Sequence, residues 1–542
     1  MVAGFLAAAW RARYVMDEFA QLQGAWYMLR SPLYHGVDPI KTVLATEFYS
    51  IVTWAGSSVA AVRMGRVLGM MAAMATLLMI TWAARESWPR RGPAALVAIT
   101  ALSFSNVFER AFRIRTDTIA LTLAAAAFVL LVRPDRRTLR TVLSGVLLGA
   151  SFLCTQKAVY FFAAFLVAMV IARWSTSGWR QALHGGLLLA GGWCASFLAY
   201  AVWFGGKEWS RVVVMVLVGP KYIFSGTAAY SGLNDFMIQT LERNVIPYGL
   251  CLAGLAISLN HWRTSGFSER FTAIATSFVV AFIFAHDQPW PYVFVWAQVF
   301  LALWVLPLLE WVSAKGWFSR RTAMLTITLL AGCALPRQVR YLGHTNRQQL
   351  EVMADAERLM EPGDRYFDGV GMVVDRQVAG TYPMWWWDVP NLSRMARALR
   401  QGDDCVPREI IADHPKLWIL NYRLVSIPGL VSRMIAGGYV RVSPSILLTG
   451  AEMGAGSGEE SFVCRWPGRY QLFDVQGRAV QELISVDGAS GVTVAEISAG
   501  THRLARANTD GRRFLLPVGT MLPGPLAPEE TPPDLYSEVY TF

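Results

Sequence analysis

Apolar residues gather into ten runs, near 66–84, 92–108, 118–132, 141–156, 158–172, 182–204, 245–260, 271–285, 291–312 and 322–338, with short polar connectors between them. A bilayer-crossing helix needs roughly 20 apolar residues, fewer where neighbours enclose it. The pattern therefore predicts a multispanning helical membrane protein. Arg85, Arg90 and Arg91, then Arg133, Arg136, Arg137 and Arg140, then Arg173 and Arg180, then Arg263 and Arg270, then Lys315, Arg320 and Arg321 fall in alternate connectors. By the positive-inside rule those connectors face the cytoplasm, and the remaining loops with the tail after about residue 339 face outward. The 141–172 stretch, with Lys157 near its middle, reads as two short helices meeting at the outer surface. Residues 1–10 are too short to span; they read as the end of a first helix whose beginning lies before Met1, which gives about eleven membrane helices and a long first outer loop over 11–65.

Residues 345–542 form the long polar segment. Residues 366–374, 417–422 and 439–448 read as strands, with helical stretches near 391–400 and 428–436, so 345–453 predicts a small α/β subdomain. From Ser461 the pattern changes to short alternating strands with Gly turns, and 459–542 predicts a β-sandwich. Gly454 to Gly458 reads as the linker between the two, and residues 523–533 as an extended tail.

Composition agrees with a membrane protein. The 542 residues are 54% hydrophobic and 16% charged, with mean hydropathy +0.36, against roughly 25% charged in soluble domains. Residues 1–344 hold 30 Lys and Arg against 14 Asp and Glu, and residues 345–542 hold 19 against 24. The excess of positive charge thus belongs to the membrane half and its loop topology. No compact basic face with interleaved aromatics is present, so nucleic acid is not an expected partner. Of the six cysteines, Cys154, Cys194, Cys251 and Cys333 lie in apolar runs as small hydrophobes. Cys405 and Cys464 lie in the tail, and an oxidising compartment predicts a disulfide between them.

Acids beside membrane spans are costly enough to need a reason. Asp17-Glu18 opens the first outer loop, where Leu22, Trp26 and Leu29 at i, i+4 and i+7 predict an amphipathic helix on the membrane surface. Glu109-Arg-Ala-Phe-Arg-Ile-Arg-Thr-Asp117 is a nine-residue outer loop with three arginines and two acids. It reads either as a solvated hairpin whose Asp117 caps the next helix or as a site. Lys157 reads either as a snorkelling side chain or as a phosphate contact. Arg113 and Arg115 read as headgroup contacts, as partners of Asp117, or as phosphate contacts.

Together these features resemble the GT-C superfamily of membrane glycosyltransferases, in particular the protein O-mannosyltransferases and the bacterial lipid A aminoarabinose transferases. The shared features are an acid just after the first helix, a long first outer loop, the R-x-R-x-D outer loop at 113–117, a lysine at an outer turn and a C-terminal outer domain. The resemblance implies a polytopic α-helical fold, a bacterial inner-membrane location with a periplasmic C-terminal domain, and sugar transfer of inverting type from a polyprenyl-phosphate donor. Within it Asp17, with Glu18 beside it, matches the first-loop catalytic acid, Asp117 the second-loop acid, and Lys157 a position that meets the donor phosphate.

The chemistry of the residues is compatible with those roles. Polyprenyl phosphate is a good leaving group, so a protein must mainly offset phosphate charge and take a proton from the acceptor. Arg113, Arg115 and Lys157 suit the first task and Asp17 the second. Weaker candidates for lining a site are His286 and Tyr292, in the 286–292 turn, and Lys221, in the 205–244 loop with Lys207, Tyr222 and Tyr230. Trp385, Trp386 and Trp387 read as an interface anchor. A divalent ion between two facing carboxylates is compatible with the acids, but no His or Cys cluster supports a metal, which stays unassigned. The rival readings are a lipid or polysaccharide transporter, which would place ionisable groups at mid-span and show internal repeats, and an envelope glycan polymerase or ligase. The sequence specifies neither sugar nor acceptor.

Overall fold

A computed structural model describes residues 1–30, 44–88, 94–133, 138–217, 233–286, 289–315, 320–380, 397–398, 401, 408–427, 429–456, 459–506, 510–526 and 535. Their contacts divide into two compact units. The first takes the described residues of 1–12, 38–49 and 64–345; the second takes those of 13–37, 50–63 and 346–542. Most of the described residues of 11–65, expected as the first outer loop of the membrane half, therefore group with the C-terminal residues.

The first unit is helical. Among the described residues, five helices are long and apolar enough to cross a membrane: residues 58–87, 156–177, 179–203, 267–284 and 294–312. Shorter apolar helices run over Val2–Arg11, Thr116–Val132, Thr138–Cys154 and Val245–Asn260. Glycines set the closest approaches. A Cβ on Gly145 would collide with the Leu189 carbonyl oxygen, and one on Gly192 with the Val142 carbonyl oxygen. In lipid, where helices gain little from apolar burial, such small-residue contacts let two helices pack closely.

The 92–108 run is not one helix. Phe104 is extended (φ −72°, ψ 130°), and separates Ala95–Ser103 from Ser105–Arg110. Buried backbone groups freed by such a break need partners. Asn244 Oδ1 accepts from the Ser105 N–H at 2.7 Å, and Arg337 donates to the Ser103 carbonyl at 3.1 Å. The break thus depends on side chains about 140 and 230 residues away.

In the second unit, a five-stranded sheet of order β2-β1-β3-β5-β4 is built from β1 Arg365–Phe367, β2 Gln377–Val378, β3 Leu417–Ile419, β4 Tyr439–Ser443 and β5 Ile446–Thr449. β2, β1 and β3 run parallel, and β5 joins antiparallel. A four-stranded sheet orders β10 Val494–Ile497, β8 Gly468–Phe473, β12 Arg513–Pro517 and β6 Ala451–Met453; a three-stranded sheet orders β7 Glu459–Cys464, β11 Gly500–Arg506 and β9 Ile484–Val486. Phe462, Tyr470, Leu472, Ile484, Leu504 and Leu515 from both sheets form one buried core, as alternating strands closing on one another should. β6 precedes Gly454, so this part takes its first strand before the expected linker.

Two sequence expectations change here. Cys464 is a free, buried thiol 3.2 Å from the Trp466 carbonyl, so the expected disulfide is not formed; Cys405 lies outside the described residues. The helix Met16–Arg30 does not lay its apolar stripe on a membrane, because Leu22 and Trp26 are buried within the protein and Leu29 is exposed. Its Gln23 and Tyr27 instead hydrogen-bond the backbone of Arg376 and Val378.

Candidate functional site

The 109–117 segment ends as a helix begins. Arg115 is extended (φ −143°, ψ 151°) and Thr116–Val132 follows, which puts Asp117 in the first turn. There the unpaired N–H groups and the helix dipole favour negative charge. The loop reaches this position because Gly69, on the helix Ser58–Ser87, has no side chain: a Cβ there would collide with the Phe112 carbonyl oxygen. Three further bonds hold it, from Tyr49 Oη to the Arg115 carbonyl (3.4 Å), from Thr118 Oγ1 to the Arg113 carbonyl (2.9 Å) and from Trp296 Nε1 to the Asp117 carbonyl (3.3 Å).

Lys157 arrives from the other side. Thr155 is extended and ends the helix Thr138–Cys154, and a short 3₁₀ turn over Gln156–Ala158 carries Lys157 into the next helix. Its Nζ lies 3.1 Å from Asp117 Oδ1, and Arg115 Nε lies 3.5 Å from Asp117 Oδ2. The Asp117 carboxylate is 8% exposed and the Lys157 side chain 17%. Tyr292 offers its ring to both cations, with Arg115 Cζ at 3.5 Å and Lys157 Nζ at 4.7 Å from its centre, a cation–π arrangement. Lys157 is thus turned toward an acid, and the Asp117 carboxylate toward two cations; the helix has no side-chain cap at Arg115.

The other expected residues are placed as follows. Arg113 Nε donates to the Glu109 carbonyl (3.3 Å) and its guanidinium lies over the Phe112 ring, while the Glu109 carboxylate pairs with Arg243 at 2.5 Å. His286 is buried, and its Nδ1 lies 3.1 Å from the hydroxyl of Tyr160, three residues after Lys157. Glu18 is fully buried, and its Oε2 accepts the Val15 N–H at 2.8 Å, the N3 half of a capping box for Met16–Arg30. Asp17 stands half-buried in the first turn of that helix, in the second unit, whereas Asp117, Arg115, Lys157 and Tyr292 come together in the first. Lys221, Tyr222, Tyr230 and Trp385 to Trp387 lie outside the described residues.

Sequence reasoning missed Tyr49, Tyr160, Arg243 and Trp296, which touch Arg115, His286, Glu109 and Asp117 from 66 to 179 positions away. It also missed Arg66, which is fully buried and donates from Nη1 to the Ala9 and Ala12 carbonyls at 2.6 and 3.3 Å. It thereby satisfies the open end of the helix Val2–Arg11. Among the described residues no three His, Cys, Asp or Glu side chains gather to hold a metal ion.

No protein-family model matches the sequence, and no curated protein matches it in sequence. Solved structures do match. ArnT from Cupriavidus metallidurans in the apo state superimposes with a TM-score of 0.57 at 12% identity, over 82% of this chain and 95% of ArnT. ArnT bound to undecaprenyl phosphate gives 0.55 at 11% identity, over 82% and 96%. This chain therefore shares the fold of ArnT over the residues matched.

Proposed function

We propose that this protein is a membrane glycosyltransferase that moves a sugar from a polyprenyl-phosphate donor to an acceptor hydroxyl at the outer, periplasmic face of a bacterial inner membrane. The observation that carries the reading is the meeting of Lys157, Arg115 and Tyr292 at Asp117, in the first turn of a helix of a GT-C fold. The undecaprenyl phosphate complex of ArnT supports the class of donor, and the alternation of Arg-rich connectors supports the face.

In this reading the donor phosphate lies against Lys157 and Arg115, which together carry one positive charge more than Asp117 balances. Charge-assisted hydrogen bonds from both stabilise the phosphate as it leaves. Tyr292 packs its ring against both cations, and Asp117 holds one on each of its carboxylate oxygens. The acceptor oxygen attacks the anomeric carbon on the face opposite the phosphate. The bond from that carbon to the phosphate oxygen breaks, its electrons stay on the polyprenyl phosphate, and Asp17 takes the acceptor's proton. Glu18, engaged in its cap, holds the helix of Asp17 and handles no proton.

The test is to incubate the purified full chain in nanodiscs with undecaprenyl-phosphate-linked glucose, mannose and 4-amino-4-deoxyarabinose and an envelope extract as acceptor. Release of undecaprenyl phosphate with labelled acceptor supports the reading; donors that stay intact with all three sugars sink it.

A further inference from the structure

We infer that the second unit is the positioning element of the proposed base: residues 346–378 grip the chain on both sides of Asp17, and Gln349 and Tyr27 are its positioning residues. The inference rests on the glycosyltransferase reading and adds a task for a C-terminal region that the chemistry above leaves without one.

The grip begins three residues before Asp17. Gln349, on the helix Arg347–Leu359 and 1% exposed, accepts the Tyr14 N–H on Oε1 at 2.8 Å and donates from Nε2 to the Tyr14 carbonyl at 2.9 Å. Its carboxamide serves Tyr14 as a neighbouring strand would, and the second Nε2 hydrogen goes to the Leu535 carbonyl at 2.9 Å. It resumes six residues after Asp17, where Gln23 Nε2 donates to the Arg376 carbonyl at 2.9 Å. It closes at Tyr27, whose hydroxyl accepts the Val378 N–H at 3.0 Å and donates to the Val378 carbonyl at 3.2 Å. Burial pushes the Tyr27 phenol up to about 12, so this proton stays in place. Gln23 and Tyr27 are four residues apart and share one face of the helix; Tyr27 occupies open backbone groups of the edge strand β2 at Val378, and Gln23 takes the carbonyl of Arg376 just before that strand. Tyr422 adds a contact from its hydroxyl to Met16 Sδ at 3.2 Å.

The bonds of Gln349, Gln23 and Tyr27 go to main-chain atoms, so they fix where the backbone of the helix lies. Undoing one leaves buried polar groups unsatisfied. A general base works only within hydrogen-bond reach of its proton, and a misplacement of about 1 Å can cost on the order of 10²-fold. The register of Asp17 is therefore set by contacts separated by 335 to 353 positions in sequence, not by the ten-residue helix that precedes it.

The experiment compares Gln349→Met and Tyr27→Phe with wild type as full chains in nanodiscs. Gln349→Met deletes three hydrogen bonds at nearly constant volume, and Tyr27→Phe deletes only the hydroxyl. Both should raise amide exchange over residues 14–30 about tenfold while exchange over 459–506 stays at the wild-type rate. Both should lower turnover of the undecaprenyl-phosphate sugar about tenfold or more and change the donor KM less than about twofold, since the donor cations lie in the other unit. Gln349→Glu, which retains the acceptor for Tyr14, should fall between Gln349→Met and wild type. Wild-type turnover in Tyr27→Phe together with faster exchange overturns the positioning role, as does unchanged exchange over 14–30, or a donor KM that rises in step with the loss of turnover. Should Gln349→Met fail to fold, Tyr27→Phe decides alone. A wild-type protein that transfers no sugar overturns the functional reading itself; an active wild type with equally active variants overturns the positioning role only.

Discussion

At the scale of single residues, the two ends of the proposed reaction rest on different groups and separate cleanly in kinetics. Lys157→Ala removes a cation from a phosphate in a partly desolvated site, and a charged hydrogen bond there is worth about 1.5–3 kcal/mol. Binding of labelled undecaprenyl phosphate should weaken by about tenfold or more, and Lys157→Arg should recover part of it. Asp17→Asn should leave that binding within about twofold of wild type and lower turnover by roughly 10²-fold or more, as loss of a general base does; near-normal turnover would remove Asp17 from the mechanism. Asp117, Arg115 and Lys157 were legible because charge beside a span is rare and each stands at a run's edge. Tyr49 and Trp296 were not, because an aromatic residue in an apolar run carries no mark that separates packing from contact with a site. Glu18 shows the converse limit, since adjacent acids look alike in sequence and only the turn of the helix assigns one of them to the Val15 N–H.

At the scale of elements, close approach and capping set the positions. Gly69→Val would force the 112–113 backbone away from the helix Ser58–Ser87 and shift Asp117 with it. It should lower both thermal stability and turnover, whereas Gly56→Ala, at a turn with open space around it, should lower stability alone through its positive φ of 78°. The start of the same long helix carries a pH dependence. Glu357 accepts the Ser58 N–H, and Asp375 Oδ1 accepts from Ser58 Oγ at 2.6 Å and pairs through Oδ2 with Arg376 at 2.5 Å. Burial, with the Asp375 carboxylate adding to it, pushes Glu357 up to about 7 against its ordinary 4.5. A carboxyl raised on folding binds its proton more tightly in the folded state, so its contribution is complete below the unfolded value and is lost as pH rises. Melting temperature of the full chain should therefore fall between about pH 4.5 and 7, and Glu357→Gln should flatten that slope; an unchanged slope would assign it elsewhere.

At the scale of the whole molecule, the arrangement of charge makes a topological prediction. In a cysteine-free background, Thr264→Cys, in an Arg-flanked connector, should react with an impermeant maleimide only after the membrane is opened, and Gln476→Cys should react in intact cells. The reverse result would place the Asp117 cluster on the cytoplasmic side and end the outer-face reading. The run of apolar segments, the edges where charge could be tolerated, the strand-rich C-terminal region and the resemblance to a GT-C fold were all determined by the sequence alone. The first three follow from local transfer free energy or local periodicity, which need no distant partner to be read, and the resemblance follows from short motifs matched to a known family. What only the tertiary structure decided is the break at Phe104, held by Asn244 and Arg337; the turn of Lys157 toward Asp117 and Tyr292; the free thiol of Cys464; and the passage of the first outer loop into the second unit through Gln349 and Tyr27. Each of the three built contacts is a bargain between groups far apart along the chain, and a pattern read along one dimension holds no record of which distant groups will meet.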